Sequence, residues 1–153
     1  MVREDILVKL RRYCDYQDRC HQDVRRKLLS LQVYGDELEE AMAILIEEDL
    51  LNEERFARNF ARGRHRIKGW ARHRIRRELK LRQISDYCIR KAMEEIEETE
   101  YRQQLLQLLH RRSMHHPADW PTGKRIEDLR EHAMRWGYEL PLIEEVSRDV
   151  LEN

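Results

Sequence analysis

The feature that most constrains the fold of this chain is an internal repeat with a period of 51 residues. A shift of 51 positions aligns residues 24–28 with residues 75–79, and Val33 with Ile84. The same shift aligns two apolar quartets, Leu38, Ala41, Met42, Leu45 and Ile89, Ala92, Met93, Ile96. Both quartets have the i, i+3, i+4, i+7 spacing of a helix that buries one stripe. Two homologous helical units therefore follow one another.

A third, divergent copy follows the first two. Ile126 and Leu129 fall on an apparent middle helix, and the final apolar stripe returns at Ile143, Val146 and Val150 when the shift grows to 54 residues. An insertion in a loop over residues 114–123, between the first two helices of this unit, accounts for the longer shift. We predict units at residues 1–51, 52–98 and 99–153.

Each unit is predicted to contain three helices, at about 53–67, 70–82 and 86–98 in the central unit. Asn52 and either Ser85 or Asp86 are suitable N-cap residues. Units of this size bury little surface alone, so the pattern predicts an elongated array whose neighbours share a core. The five Gly and three Pro, together with 39% charged residues, favour helices over a many-stranded sheet. We expect an all-α fold.

Composition and motifs also exclude several functional classes. The chain has no long apolar segment, which predicts a cytoplasmic protein without a membrane partner. The three cysteines, Cys14, Cys20 and Cys88, do not form a disulfide framework. The spacing of Cys14, Cys20 and His21 is not that of a zinc-binding motif. We interpret His115 and His116 as residues on the surface of a loop. No phosphate-loop, dinucleotide or nucleophile motif occurs. We therefore expect no enzyme activity, no metal and no cofactor.

Charge is divided into blocks although the formal net charge is zero. Residues 55–82 contain twelve Lys or Arg and one acid, Glu78, whereas residues 36–54 contain nine carboxylates and no Lys or Arg. The basic block creates a local positive field that a polyanion or an acidic protein surface would feel. The chain is thus predicted to bind nucleic acid, a protein coated on nucleic acid, or both.

Helical periodicity places the basic residues in two rows. In the first predicted central helix, Arg55, Arg58, Arg62 and Arg66 lie opposite Phe56, Phe60 and Ile67. In the second, His73, Arg76, Arg77 and Lys80 lie opposite Ile75 and Leu79. The two rows would merge into one patch. The candidate DNA- or filament-binding residues are Arg55, Arg58, Arg62, Arg66, Lys68, Arg72, Arg76, Arg77 and Lys80.

Two interpretations of this region stay open at the level of sequence. The rows are either a binding surface or solvated faces neutralised by the neighbouring acidic helices, and the scarcity of Glu at i±4 favours the first. Trp70, which opens the second central helix, either packs as a staple on the core or stacks on a base, and the first is the commoner role. Trp120 and Trp136 are expected to be packing anchors.

Several segments resemble the RecX family, regulators of the RecA recombinase filament. Residues 51–57, with the sequence Leu-Asn-Glu-Glu-Arg-Phe-Ala, resemble the central signature of that family, and the pairs at 68–69, 74–75 and 78–79 follow at the family's spacing. The similarity covers roughly residues 15–150. The sequence departs from the family pattern at Cys20, where Ser is frequent, at Glu53, where Asp is usual, and at Gln83, where Gly commonly precedes Ile.

The resemblance implies three tandem three-helix repeats in a curved, monomeric molecule that lies in the groove of the RecA–DNA filament. It further implies inhibition of the recombinase ATPase, strand exchange and coprotease functions in DNA repair, recombination and the SOS response, without a covalent step. The partners would be RecA and single-stranded DNA, bound directly or through the filament. A stand-alone DNA- or RNA-binding protein is the alternative, and an array that binds only proteins is the third class.

Overall fold

The computed structural model describes residues 1–152 of the chain. Within that range it contains nine α-helices and no strand. The helices are α1 Glu4–Tyr16, α2 His21–Ser30, α3 Gly35–Glu47, α4 Glu53–Arg66, α5 Arg72–Leu81, α6 Asp86–Met93, α7 Glu98–Ser113, α8 Thr122–Trp136 and α9 Leu140–Glu152. This confirms an all-α fold of three-helix repeats.

Each helix in residues 1–152 falls short of the length and apolarity that a bilayer crossing requires. The unit boundaries after residues 51 and 98 stay a prediction.

The predicted N-caps of the central repeat are confirmed, and two of its predicted helix ends are wrong. The Asn52 side chain accepts from Arg55 N at 2.9 Å, and Ser85 Oγ accepts from Cys88 N at 3.2 Å. Helix α6 ends at Met93, not near 98, because the next three N–H groups bond three residues back in a tight turn. Helix α5 begins at Arg72, not 70, because Ala71 is still extended.

The middle helix of every repeat ends in the same Schellman motif. Gln32, Gln83 and Gly137 follow α2, α5 and α8, with φ values of 62°, 60° and 97°. In each case the N–H group of the following residue donates to the carbonyl oxygen five residues earlier. The three bonds are Val33 N to Leu28 O at 3.0 Å, Ile84 N to Leu79 O at 3.1 Å and Tyr138 N to Ala133 O at 3.3 Å. The left-handed turn is therefore kept where Gln replaces Gly. Positions 83 and 137 differ by 54, which is the shift predicted for the third repeat.

The apolar residues form two cores across the three repeats. The first repeat has its own core, around Val24, Leu28 and Leu45. The second and third repeats share the other core, which includes Ile75 and Leu129. The first repeat contributes one residue to that shared core, Cys20, which is fully buried. The prediction of shared cores is thus confirmed for the second and third repeats, and the first is joined to them more sparsely.

His116 contradicts the interpretation of the His115–His116 pair as loop surface. Its side chain is only 3% exposed, and its Nε2 atom lies 2.7 Å from Oδ2 of Asp128, a residue that also pairs with Arg112 at 2.9 Å. The loop over 114–121 folds back onto α7 and α8, so His116 becomes a packing residue beside Trp120, with ring centroids 5.0 Å apart. His115 is exposed, as predicted.

Candidate nucleic-acid interface

The basic row of α4 is largely paired with the protein's own carboxylates. Arg58 donates to Glu54 at 3.0 Å and to Glu94 at 3.1 Å, and Arg62 donates to Glu95. Arg55 pairs with Asp49 at 3.2 Å. The expectation that this row lacks local neutralisation is therefore wrong for Arg55, Arg58 and Arg62.

For Arg62, and in part for Arg58, the physical reason lies in tertiary packing between α4 and α6. Arg55 pairs with Asp49, which lies six residues before it. Helix α4 packs against α6, and the tight turn after Met93 brings Glu94 and Glu95 to the Arg58 and Arg62 side chains. Glu54, the i−4 neighbour of Arg58, lies within α4 and was visible in the sequence. Glu94 and Glu95 follow another helix, so no i±4 pattern within α4 could reveal them. These pairs are partly exposed, and pairs of this kind contribute only about 0–1 kcal/mol each. They nevertheless occupy the cations and cancel their charge.

Arg72 is a structural residue at the junction of the second and third repeats. Its side chain is 15% exposed and pairs with Glu98 at 2.5 Å and Glu139 at 2.9 Å. The guanidinium also lies 4.0 Å from the ring centroid of Tyr101. A cation held by two carboxylates and a buried aromatic ring is not free to bind a filament. We therefore remove Arg72 from the candidate interface.

The junction around Arg72 fixes the ionisation of its members. Burial raises the pKa of Tyr101 well above its usual range, so the hydroxyl stays protonated and donates to Glu139. Burial alone would raise the pKa of Glu139, but hydrogen bonds from Tyr101 and Arg72 outweigh it and the pKa is lowered. Glu139 is therefore an anion at neutral pH that ties the two repeats together.

The outer face of α5 carries four basic side chains without a partner in residues 1–152. His73, Arg77 and Lys80 are exposed and Arg76 is half-buried. None of the four side chains makes an ion pair or hydrogen bond with residues 1–152. On the opposite face Ile75 and Leu79 are fully buried, which confirms the predicted apolar seam. The α5 row is thus displayed outward, as its periodicity predicted.

The end of α4 contributes two further free cations. Arg66 and Lys68 are exposed and unpaired within residues 1–152. Ile67 between them is 82% exposed, so its predicted place beside Phe56 and Phe60 on the core face is wrong. Helix α4 ends at Arg66 and the chain turns at Gly69, where φ is +73°, so the helical phase no longer applies to Ile67.

Trp70 lies against two arginines, Arg64 and Arg74, that are not among the predicted binding residues. It is half-buried against the shared core, with an edge-on contact to Phe60 at 6.3 Å between centroids. The guanidiniums of Arg64 and Arg74 lie 5.3 and 4.0 Å from its ring centroid. This geometry fits the packing role of Trp70, and both arginines lack carboxylate partners within residues 1–152. In the sequence, only their positions, six residues before and four residues after Trp70, could have indicated this contact.

The fold and this surface define a class, a helical repeat protein whose central unit carries an outward cationic face. Comparisons with known proteins then make the class more specific. Residues 52–93 match the family model described as RecX, second three-helix domain. No curated protein matches the chain in sequence.

Two crystal structures share the fold over nearly the whole chain. RecX from Lactobacillus salivarius superposes with a TM-score of 0.84 at 19% identity, covering 99% of this chain and 100% of that one. A second structure, of a regulatory protein RecX, gives 0.83 at 16% identity and covers 95% of this chain and 72% of that one. The family match thus covers the central repeat, and the two crystal structures show that the chain shares the fold of RecX proteins over nearly its whole length.

Proposed function

We propose that this protein is a non-enzymatic regulator that binds filaments of RecA on single-stranded DNA in the cytoplasm and inhibits their activity. The observation that carries the proposal is the coincidence of the RecX domain match, at residues 52–93, with the unpaired cationic face of α5. We keep five of the nine predicted residues in the proposed interface. They are Arg66, Lys68, Arg76, Arg77 and Lys80.

These cations suit phosphate oxygens or the carboxylates of a filament protomer. Arginine presents a planar fork of donors that binds either group in a bidentate manner. Contacts of this kind position a protein on nucleic acid without reading the bases. Sequence-independent binding is what a filament regulator needs, because the filament forms on DNA of any sequence.

Inhibition requires no chemistry on the part of the regulator. A long array that contacts neighbouring protomers holds the filament through several weak contacts at high effective concentration. If the array binds one filament conformation more tightly than another, it shifts the balance between them and slows ATP turnover, strand exchange and coprotease action. We expect it to act as a monomer.

The direct test is ATP hydrolysis by RecA on single-stranded DNA as purified protein is added. The proposal predicts a dose-dependent fall in the hydrolysis rate, which would approach saturation near the stoichiometry of the filament. An unchanged rate at several-fold excess over RecA would contradict it.

A stand-alone DNA- or RNA-binding protein is the second candidate function. The α5 row is exposed on the isolated chain and therefore accessible without a recombinase. Gel shifts in the absence of RecA separate the two functions. Tight, sequence-selective binding would favour the second, whereas weak binding without sequence preference would favour the filament regulator.

A further inference from the structure

A cleft of about 300 Å³ opens where the second and third repeats meet. Its polar lining comes from the end of α4 and from α7, with Arg66, Lys68, Arg111, Gln104 and Gln107. Ile67, Gly69, Leu108, Trp136 and Tyr138 complete the wall, and no carboxylate is among the lining residues. The cleft therefore combines three cations, two amides and an indole.

The three cations are not neutralised by the protein. Arg66, Lys68 and Arg111 are exposed and make no ion pair with residues 1–152. Arg112, the next residue after Arg111, pairs with Asp128 at 2.9 Å, so a carboxylate partner is available to one arginine of this turn and not to the other. Like charges that line one cleft without a counter-ion repel one another, and an anion would relieve that repulsion.

Three of the last four carbonyls of α4 are hydrogen-bonded within the chain. Free carbonyls at a helix C-terminus carry partial negative charge. Here Gly63 O accepts from Ile67 N at 2.9 Å, Arg64 O from Trp70 N at 3.0 Å and His65 O from Gly69 N at 3.1 Å. Arg66 and Lys68 place two positive charges beside this negative end of the helix dipole and offset it.

Backbone hydrogen bonds tie the chain that follows α4 to the end of α8 beside the cleft. Ala71 N donates to Trp136 O at 3.0 Å, and His73 N donates to Gly137 O at 3.0 Å. The rim is close-packed as well, since a Cβ at Gly69 would lie 3.4 Å from the Trp136 ring. The backbone around the cleft is therefore fixed before a ligand arrives, which reduces the ordering cost of binding.

We propose that this cleft binds a backbone phosphate of single-stranded DNA, and that Arg111 gives the third repeat a direct part in the interface. The inference deepens the proposed function and rests on it for its biological meaning. A phosphodiester concentrates its charge on one tetrahedral group, which suits three cations that line one cleft, whereas the carboxylates of an acidic peptide are spread along the chain. Trp136 supplies an aromatic surface for the adjoining sugar or base.

The site is tested first without DNA or RecA. Pyrophosphate is titrated into the full chain while the Nε1–H signal of Trp136 and the amide signals of residues 67–69 are followed by NMR. We expect saturable shifts confined to these signals in wild type, with at least a several-fold weaker response in Arg111→Ala. Arg148→Ala, an exposed arginine of α9 without an ion pair, is the matched control and should respond like wild type. Equal responses in both variants would overturn the proposal.

The second test uses a short oligothymidylate and a salt titration. Loss of one phosphate contact should reduce the slope of log affinity against log salt by about 0.7 in Arg111→Ala and leave it unchanged in Arg148→Ala. An unchanged slope in Arg111→Ala, with a reduced slope in Arg76→Ala, would overturn the cleft site and leave the proposed function standing. Tighter binding of a hexaglutamate peptide than of the oligonucleotide at this cleft would overturn the choice of ligand.

Discussion

The backbone N–H of His73 donates to the carbonyl oxygen of Gly137 at 3.0 Å, so the first turn of α5 is bonded to the end of α8. In a second bond between the same two segments, Ala71 N donates to Trp136 O at 3.0 Å. The N-terminus of α5 has no side-chain cap of its own, and the third repeat supplies the acceptors instead. The helix that carries the free cations is thus oriented by the neighbouring repeat.

Gly137→Ala should break this junction. A Cβ at position 137 would lie 2.8 Å from Arg74 N, and the φ of +97° is unfavourable for any residue with a side chain. We expect the free energy of unfolding to fall by about 1–3 kcal/mol. Urea denaturation checks the value. Gly63→Ala is the control, because it lies inside α4 with nothing within 4 Å, and it should stabilise by about 0.5–1 kcal/mol. Equal effects of the two variants would contradict the role of the junction.

Gln83→Gly should stabilise the protein. Gln83 has a left-handed backbone at φ 60°, which costs a residue with a Cβ about 1–2 kcal/mol, and part of that relief is offset by the greater freedom of Gly in the unfolded chain. A thermal unfolding scan should show a higher midpoint. Gln103 is exposed to solvent in the middle of α7. Gln103→Gly should lower the unfolding midpoint, since Gly within a helix destabilises it by about 1 kcal/mol. A lower midpoint for both variants would show that position 83 carries no strain.

Glu139 should make stability depend on pH. Because its folded-state pKa is lowered, its stabilising effect is fully present above the unfolded value of 4.5 and is lost as pH falls through the folded value. Glu139→Gln should reduce the free energy of unfolding by about 2 kcal/mol at neutral pH and flatten the decline below about pH 5. Denaturation at a series of pH values checks both. The exposed Glu131→Gln should leave the profile unchanged, and a wild-type-like profile for Glu139→Gln would contradict the account.

Removal of Arg76 and Arg77 should weaken binding to single-stranded DNA at low salt. If each side chain contacts one phosphate, the double alanine variant should reduce the slope of log affinity against log salt by about 1.4, from about 0.7 per contact. Fluorescence anisotropy over a salt series measures the slope. The double variant Arg58→Ala and Arg62→Ala removes the same charge from paired positions, and we expect a smaller change. Equal slopes in the two double variants would place both helices in the footprint.

The repeat, the apolar stripes and the N-caps could be predicted from the sequence because each depends on residues close together in the chain. Whether a charged side chain is paired or free depends also on residues that are distant in the chain and close in space. Arg58 was expected to be free, and a turn 36 residues later supplies Glu94. Arg72 belongs to a junction with Glu139, 67 residues away, and His116 is buried because its loop folds back onto Asp128. Periodicity identifies the outward face of a helix, not what packs over it.

The account depends on the unpaired cations of α5 being the surface that meets the filament. The decisive measurement is RecA ATP hydrolysis on single-stranded DNA with three forms of the protein: wild type, the alanine pair at Arg76 and Arg77, and the alanine pair at Arg58 and Arg62. We predict that the wild type and the Arg58/Arg62 variant inhibit, and that the Arg76/Arg77 variant loses most of its inhibition while remaining folded by circular dichroism. Full inhibition by the Arg76/Arg77 variant would contradict the account.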